Sequence, residues 1–191
     1  MDQCFVEQSA AMSILIRAGV ATDATALAEL AARTFRETFA ADNRPEDMAL
    51  YLAHTYGTYQ QRRELTDPDI ITLLVEVDGE LAGYAQLRSG VPPTCVTGEA
   101  PVELWRFYIA QPWHGRGVAQ ALMRRVESEA CRRGGRTLWL GVWERNERAK
   151  AFYRKYSFTD VGSHVFMLGT DAQTDRIWVR PLPTVISNGA G

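Results

Sequence analysis

Two periods organise the apolar positions of this chain, and the switches between them mark its elements. Ile14–Arg17 alternates residue by residue, which is the pattern of a half-buried strand. The spacing then lengthens: Ala24, Leu27, Leu30, Ala31, Thr34, Phe35 and Phe39 share one helical stripe, with Thr22 or Asp23 placed to cap its start. Asn43-Arg44-Pro45-Glu46 opens a second helix, proline in its first turn and acids after it, carrying Met48, Leu50, Tyr51, Leu52 and Tyr56; the helical region closes at Asp67-Pro68. Ile70–Val77 and Leu81–Leu87 read as strands of a hairpin turned at Asp78-Gly79-Glu80. After a loop over Gly90–Pro101, Val102–Ile109 is the next strand, and Val118–Arg133 is an amphipathic helix with Ala119, Leu122, Met123, Val126 and Ala130 in line. Gly134-Gly135 stops it. The near-continuous apolar run Thr137–Trp143 suits a strand covered on both faces. Glu147–Tyr156 is helical, and Phe158–Phe166 and Arg176–Val179 are the last strands.

The alternation of strands and helices predicts one mixed α/β (α+β) domain over residues 13–182, with a loose extension over 1–12 and a tail over 183–191. At 191 residues and 46% hydrophobic composition, the chain can bury a core without staples. Cys4, Cys95 and Cys131 are odd in number and lack CxxC spacing, which reads as reduced thiols. No apolar run approaches a membrane span and no secretory leader is evident, so a cytoplasmic location with no membrane partner is expected. His54, His114 and His164 show no metal-ligand spacing, and no metal is expected.

Charge is unevenly placed. Residues 111–156 hold 11 Lys/Arg against 4 Asp/Glu, whereas the remainder holds 10 against 19. A basic third suits an anionic ligand and an acidic remainder a cationic one, although a solvated arginine-rich helix face equally accounts for the first. The net charge of −2 and the absence of a recognisable motif argue against a nucleic-acid partner.

The chemistry concentrates at His114-Gly115-Arg116-Gly117-Val118-Ala119, between a strand and a helix. Backbone without Cβ atoms that opens into a helix N-terminus presents free N–H groups and a dipole end to an anion. A dinucleotide GxGxxG fails here because its third position is Gln120, and no GxxxxGK[ST] loop occurs. The segment instead resembles the [Q/R]xxGx[G/A] pyrophosphate loop of the GCN5-related N-acetyltransferase (GNAT) superfamily, with His114 standing at the Gln/Arg position. Asn146, Ala149 and Tyr153 are similar to that family's N-x-x-A-x-x-x-Y element, with Ser157 where the family has glycine. Thr34–Phe39, Pro45–Met48, Leu140–Glu144 and Gly169 with Gln173-Thr174-Asp175 narrow the likeness to bacterial polyamine N-acetyltransferases of the PaiA type, over about Ile14 to Leu182. In that subgroup a histidine also occupies the His114 position.

The resemblance implies a central, mostly antiparallel sheet of about seven strands, flanked by helices, whose fourth and fifth strands splay apart. It implies acetyl-CoA as cosubstrate and spermidine or spermine as the amine, acetylated by direct attack in a ternary complex. The diphosphate would lie on the amides of Gly115, Gly117, Val118 and Ala119 beside His114, Arg116 and Lys155; the pantetheine arm would pair with Phe107 and Ile109, and Asn146 would bond the cofactor. An alkyl ammonium of pKa about 10.4 must lose a proton before it attacks, and Glu103 is the candidate base. The backbone N–H near Ile109 is the candidate oxyanion donor, and Tyr153 the acid for a thiolate whose thiol has a pKa of about 8.5. Glu37, Asp42 and Glu46 are candidates for amine recognition. Bland roles stand beside these: a salt-bridged strand residue for Glu103, a core aromatic for Tyr153, a helix N-cap for Asn146, a solvated helix start for Glu46. Acetylation of a peptide amine, a lysine or an aminoglycoside is the alternative within the same chemistry. An acyl-CoA-binding sensor without turnover is the alternative outside it. Trp113 and Trp178 are candidates for a homodimer contact, with packing inside the fold as the other reading.

Overall fold

The computed structural model describes residues 12–183. The expected extension and tail therefore lie outside the described residues, except Pro183 and Met12, which packs against the core. In chain order the elements are β1 (Ile14–Ala18), α1 (Ala24–Phe39), α2 (Pro45–Thr55), α3 (Thr58–Thr66), β2 (Ile70–Val77), β3 (Glu80–Arg88), β4 (Pro101–Ile109), α4 (Val118–Arg132), β5 (Thr137–Trp143), α5 (Glu147–Lys155), β6 (Thr159–Leu168) and β7 (Asp171–Pro181). Seven strands form one sheet in the order β1-β2-β3-β4-β5-β7-β6, and β4–β5 is its parallel pair.

Strand alternation sends side chains to two separate cores, one on each face of the sheet. Leu73, Val75 and Val77 of β2 join Leu122, Met123 and Val126 of α4 on one face. Leu74, between them in sequence, points to the opposite face, where Leu27, Leu30, Ala31 and Phe35 bring in α1 and Met48 and Leu52 bring in α2. The helical stripes read from the sequence are the buried faces of α1 and α4.

Two boundaries differ from expectation. The second helical region breaks at Gly57, whose extended backbone starts α3. The break is sealed locally: Gln61 Nε2 donates to Thr55 O at 3.0 Å, satisfying a carbonyl at the end of α2. The last two strands form a longer hairpin than alternation suggested, because β6 is a sheet edge and its outward Val161, Val165 and Met167 give no polar partner to the pattern. The hairpin tip docks on α2, where Asp47 Oδ1 accepts from Thr170 N and Thr170 Oγ1, both at 2.7 Å. Trp178 is buried in the core, and the partly buried Trp113 packs against both cores. Among the described residues, no helix is long and apolar enough to cross a membrane.

Candidate active site

The site begins where β4 leaves β5. Their pairing covers only Pro101–Thr137, Val102–Leu138 and Glu103–Trp139. Immediately afterwards β4 carries an extra residue: Leu104 faces Leu87 and Arg106 faces Gln86, leaving Trp105 bulged out of register. A bulge bends and twists its strand, which here directs β4 away from β5. Beneath it the Arg106 and Glu64 side chains, 5% and 3% exposed, pair at 2.5 Å. Gln86 accepts from Arg106 at 2.7 Å and donates to Glu64 at 3.1 Å, so these three buried side chains bond one another.

The parted edge of β4 is available for pairing. Ala110 N donates to Ala82 O on β3, and strand alternation then turns the N–H and C=O of Phe107 and Ile109 to the opposite side, towards β5. No β5 residue is in register with them. An extended ligand segment fits that edge.

At the open end of β4 stands the loop found in the sequence. Gly115 and Gly117 have φ of +73° and +82°, and a Cβ at either would meet nothing within 4 Å, so glycine is required by conformation and not by space. Ala121 N is the first amide to bond back, onto Gly117 O; Val118, Ala119 and Gln120 therefore direct free N–H groups from the start of a 15-residue helix. Such an array fits a diphosphate. His114 braces the loop: Nε2 lies 2.7 Å from Ile109 O and Nδ1 lies 2.8 Å from Arg148 Nη1. A carbonyl only accepts and a guanidinium only donates, so the ring holds its proton on Nε2. Arg116 is exposed and lies 5.5 Å over the Trp113 ring. Val118 is buried in the core, while Ala119 lines the channel beside the loop.

Two cavities meet in the wedge. One, of about 220 Å³, runs along Ile109, Trp113, His114, Ala119 and Phe152 on the α4–α5 side. The other, of about 320 Å³, lies on the α1–α2 side. Both are lined by Phe107, Tyr108, Asn146, Ala149 and Tyr153. Tyr153 is 8% exposed and packs edge-on to Phe107; burial holds its phenol pKa well above the ordinary value. Asn146 Oδ1 accepts from Ala149 N at 3.0 Å and so caps α5, which fixes the helix that carries Tyr153.

Other expected residues lie differently. Glu103 lines the larger cavity at its closed end, with both oxygens engaged by Arg88 at 2.5 and 3.2 Å. Glu37 accepts from Gln111 N at 3.2 Å and anchors the turn before the loop; Asp42 and Glu46 are exposed, and none of the three lines the larger cavity. Lys155 lies at the far end of α5 and lines neither cavity; Arg148, in the first turn of the helix, is the basic residue beside the loop. Helix rise explains this, since nine residues separate Lys155 from Asn146 by about 13 Å. Sequence reasoning also passed over the aromatic wall of the larger cavity: Phe35 and Phe39 of α1, Tyr51 of α2, Trp143 of β5 and Phe166 of β6 come from four separate elements, Phe35 stacking on Tyr51 at 4.6 Å and Phe39 meeting Trp143 at 5.7 Å. Their only signal was membership of helical or strand stripes. Among the described residues, no group of three His, Cys, Asp or Glu is placed to hold a metal.

Comparison with known proteins agrees with this architecture. Residues 25–158 match the acetyltransferase (GNAT) family. An uncharacterised N-acetyltransferase in the pepI 3′ region, from Lactobacillus delbrueckii subsp. lactis, is 37% identical over 142 residues, 74% of this chain and 82% of that protein. An uncharacterised N-acetyltransferase of Mycobacterium tuberculosis is 36% identical over 161 residues, covering 84% and 99%. The crystal structure of the PaiA N-acetyltransferase from Thermoplasma acidophilum in complex with coenzyme A superposes with a TM-score of 0.71 at 22% identity, over 88% of this chain and 99% of that one. The parted β4 and β5, the glycine loop on α4 and the sequence match lead to one conclusion: the chain belongs to the acetyltransferase (GNAT) family and is an acetyl-CoA-dependent N-acetyltransferase.

Proposed function

We propose that the amine acceptor is an extended aliphatic amine of the polyamine class, received in the α1–α2 cavity and acetylated where that cavity meets the channel at Phe107 and Tyr153. The observation that carries this reading is the composition of the acceptor cavity. Ring faces attract an ammonium and cover methylene groups, and Phe35, Phe39, Tyr51, Trp143 and Phe166 supply them. The cavity's two arginines are already committed, Arg88 to Glu103 and Arg106 to Glu64. Asp175 faces the cavity with the His164 imidazole, 3.8 Å away, as its one ionisable partner among the described residues. The structural likeness to a PaiA N-acetyltransferase supports the same reading.

Acetyl-CoA, when bound, supplies the acyl group and the thiol leaving group; the rest is the chain's own work. The amides of Val118, Ala119 and Gln120, with Arg116 and Arg148, would hold the diphosphate. The free backbone groups of Phe107 and Ile109 would orient the pantetheine arm, and the Ile109 N–H is the donor for developing negative charge on the acyl oxygen. Tyr153, kept protonated by burial, can give its proton to sulfur. The walls of Phe107, Phe152 and Tyr153 exclude water from the junction.

A thiol-release assay with acetyl-CoA and spermidine, spermine, a peptide amine or kanamycin tests the proposal. Preferential turnover of the polyamines is expected. Turnover of the peptide or the aminoglycoside alone overturns the acceptor class, and binding of acetyl-CoA without turnover of any amine overturns the enzymatic reading.

A further inference from the structure

We propose that His164 and Asp175, facing each other across β6 and β7, are the groups that take the proton from the attacking amine. The inference rests on the amine-acetyltransferase reading above and names the base within it. The two residues are register partners on neighbouring antiparallel strands, so their side chains share a face. That face is the wall of the larger cavity, where His164 Nε2 and Asp175 Oδ2 lie 3.8 Å apart.

A glycine opens this pair to the reaction zone. Gly141 lies on β5 beside the parted edge, and a Cβ there would stand 3.2 Å from His164 Nε2 and 3.3 Å from Asp175 Oδ2. It is the exposed position in a strand that is otherwise buried. Any side chain at this point would screen the pair from the wedge; the missing one leaves a notch through which an amine can reach it. The Gln173-Thr174-Asp175 segment, conspicuous in the sequence, thereby gains a chemical role. Glu103 is less available, since Arg88 grips both its oxygens where β4 and β5 are still paired.

The surroundings suit proton transfer. Burial pushes the Asp175 carboxyl up to about 6, with His164 pulling in the opposite direction. The other charged groups of the cavity are internally paired, Arg88 with Glu103 and Arg106 with Glu64, and Arg176 on β7 is held by Asp160. Tyr51 and Tyr153 are kept protonated by burial. The ammonium N–H proton passes to the pair, whose carboxylate balances the positive imidazolium. The half-exposed ring, 41% accessible, then releases that proton to solvent. The freed nitrogen lone pair forms the C–N bond as the C–S bond breaks. The nitrogen's second proton leaves by the same route, while Tyr153 protonates the sulfur and is reprotonated, so one proton is released per turnover.

The test compares the parent with Asp175→Asn, His164→Gln and Glu103→Gln, using whichever amine of the panel turns over best, with acetyl-CoA affinity measured by calorimetry. Asp175→Asn and His164→Gln are expected to lose about 10²-fold or more of kcat/KM for the amine at pH 7, with acetyl-CoA affinity within about twofold of the parent. Their residual rates should climb about tenfold per pH unit towards pH 9, as free amine of pKa about 10.4 replaces base-assisted amine. Parent kcat/KM should fall as pH drops through about 6, the limb Asp175→Asn removes. Retention of more than about a tenth of parental kcat/KM by both variants, or a loss carried by Glu103→Gln instead, overturns the assignment. His164→Gln, at a half-exposed site, carries the test if Asp175→Asn folds poorly. A parent inactive on every amine overturns the acceptor reading and this assignment together, a result distinct from an active parent with unaffected variants.

Discussion

Replacing Arg106 with methionine would measure what the buried ion pair contributes to the bend of β4. The substitution leaves the Glu64 carboxylate in the interior with the amide donors of Gln60 at 3.0 Å and Gln86 at 3.1 Å, and strips Gln86 Oε1 of its 2.7 Å donor. Removing one partner of a buried pair costs about 3–5 kcal/mol, because an uncompensated charge remains in low dielectric. The two surviving amide donors hold the expectation to the lower end, about 3 kcal/mol. In a domain of this size 1 kcal/mol moves the melting temperature by about 2–4 °C, so a fall of about 6–12 °C is expected. Urea unfolding and calorimetry on Arg106→Met, Glu64→Gln and the double variant supply the measurement. The double variant, with no charge left inside, should return to within about 1 kcal/mol of the parent. A loss below about 1 kcal/mol in the single variant, or a double variant as unstable as the two singles added together, would refute the reasoning. Either result would mean that water or movement of β4 relieves the isolated carboxylate.

Three further outcomes are expected. Acetyl-CoA at about 100 times its Kd should stabilise the protein by about 2.7 kcal/mol, or about 5–11 °C in a thermal-shift assay; Gly117→Ala, forced to φ of +82°, should lose about 1–2 kcal/mol and shrink that shift. Tyr153→Phe should lower kcat by about 10²–10⁴ with acetyl-CoA affinity unchanged by calorimetry, and an unchanged kcat would remove Tyr153 from the acid role. Asp47, whose bonds to Thr170 hold its carboxyl below the ordinary range, binds fewer protons in the native state than in the unfolded one. Its contribution is therefore complete above about pH 3.9 and lost as pH falls through the lower native value, so Asp47→Asn should flatten the acid side of the melting profile below about pH 4.

Legibility followed the range of the forces involved. The stripes of α1 and α4, the β2–β3 hairpin, the glycine loop and the Asn146 cap were readable because each is set by residues a few positions apart. The break at Gly57 was not, because a helix that ends on a side-chain bond from Gln61 to Thr55 O leaves no interruption in the apolar pattern. Lys155 and Arg148 differ by seven residues of one basic helix, and charge counting alone gives both the same weight. Asp42 and Glu46 are exposed and line neither cavity, whereas Asp175, more than a hundred residues later in the chain, lines the larger one.

The sequence by itself determined the type and order of most strands and helices, though not every boundary, and where free amides open a helix start, since local backbone geometry decides both. Only the tertiary structure decided how β4 bends from β5 at Trp105, which aromatic side chains wall the larger cavity, and that Gly141 leaves His164 and Asp175 open to it. Those features depend on the register of strands distant in sequence. A one-residue change in pairing would send the same side chains to the opposite face of the sheet.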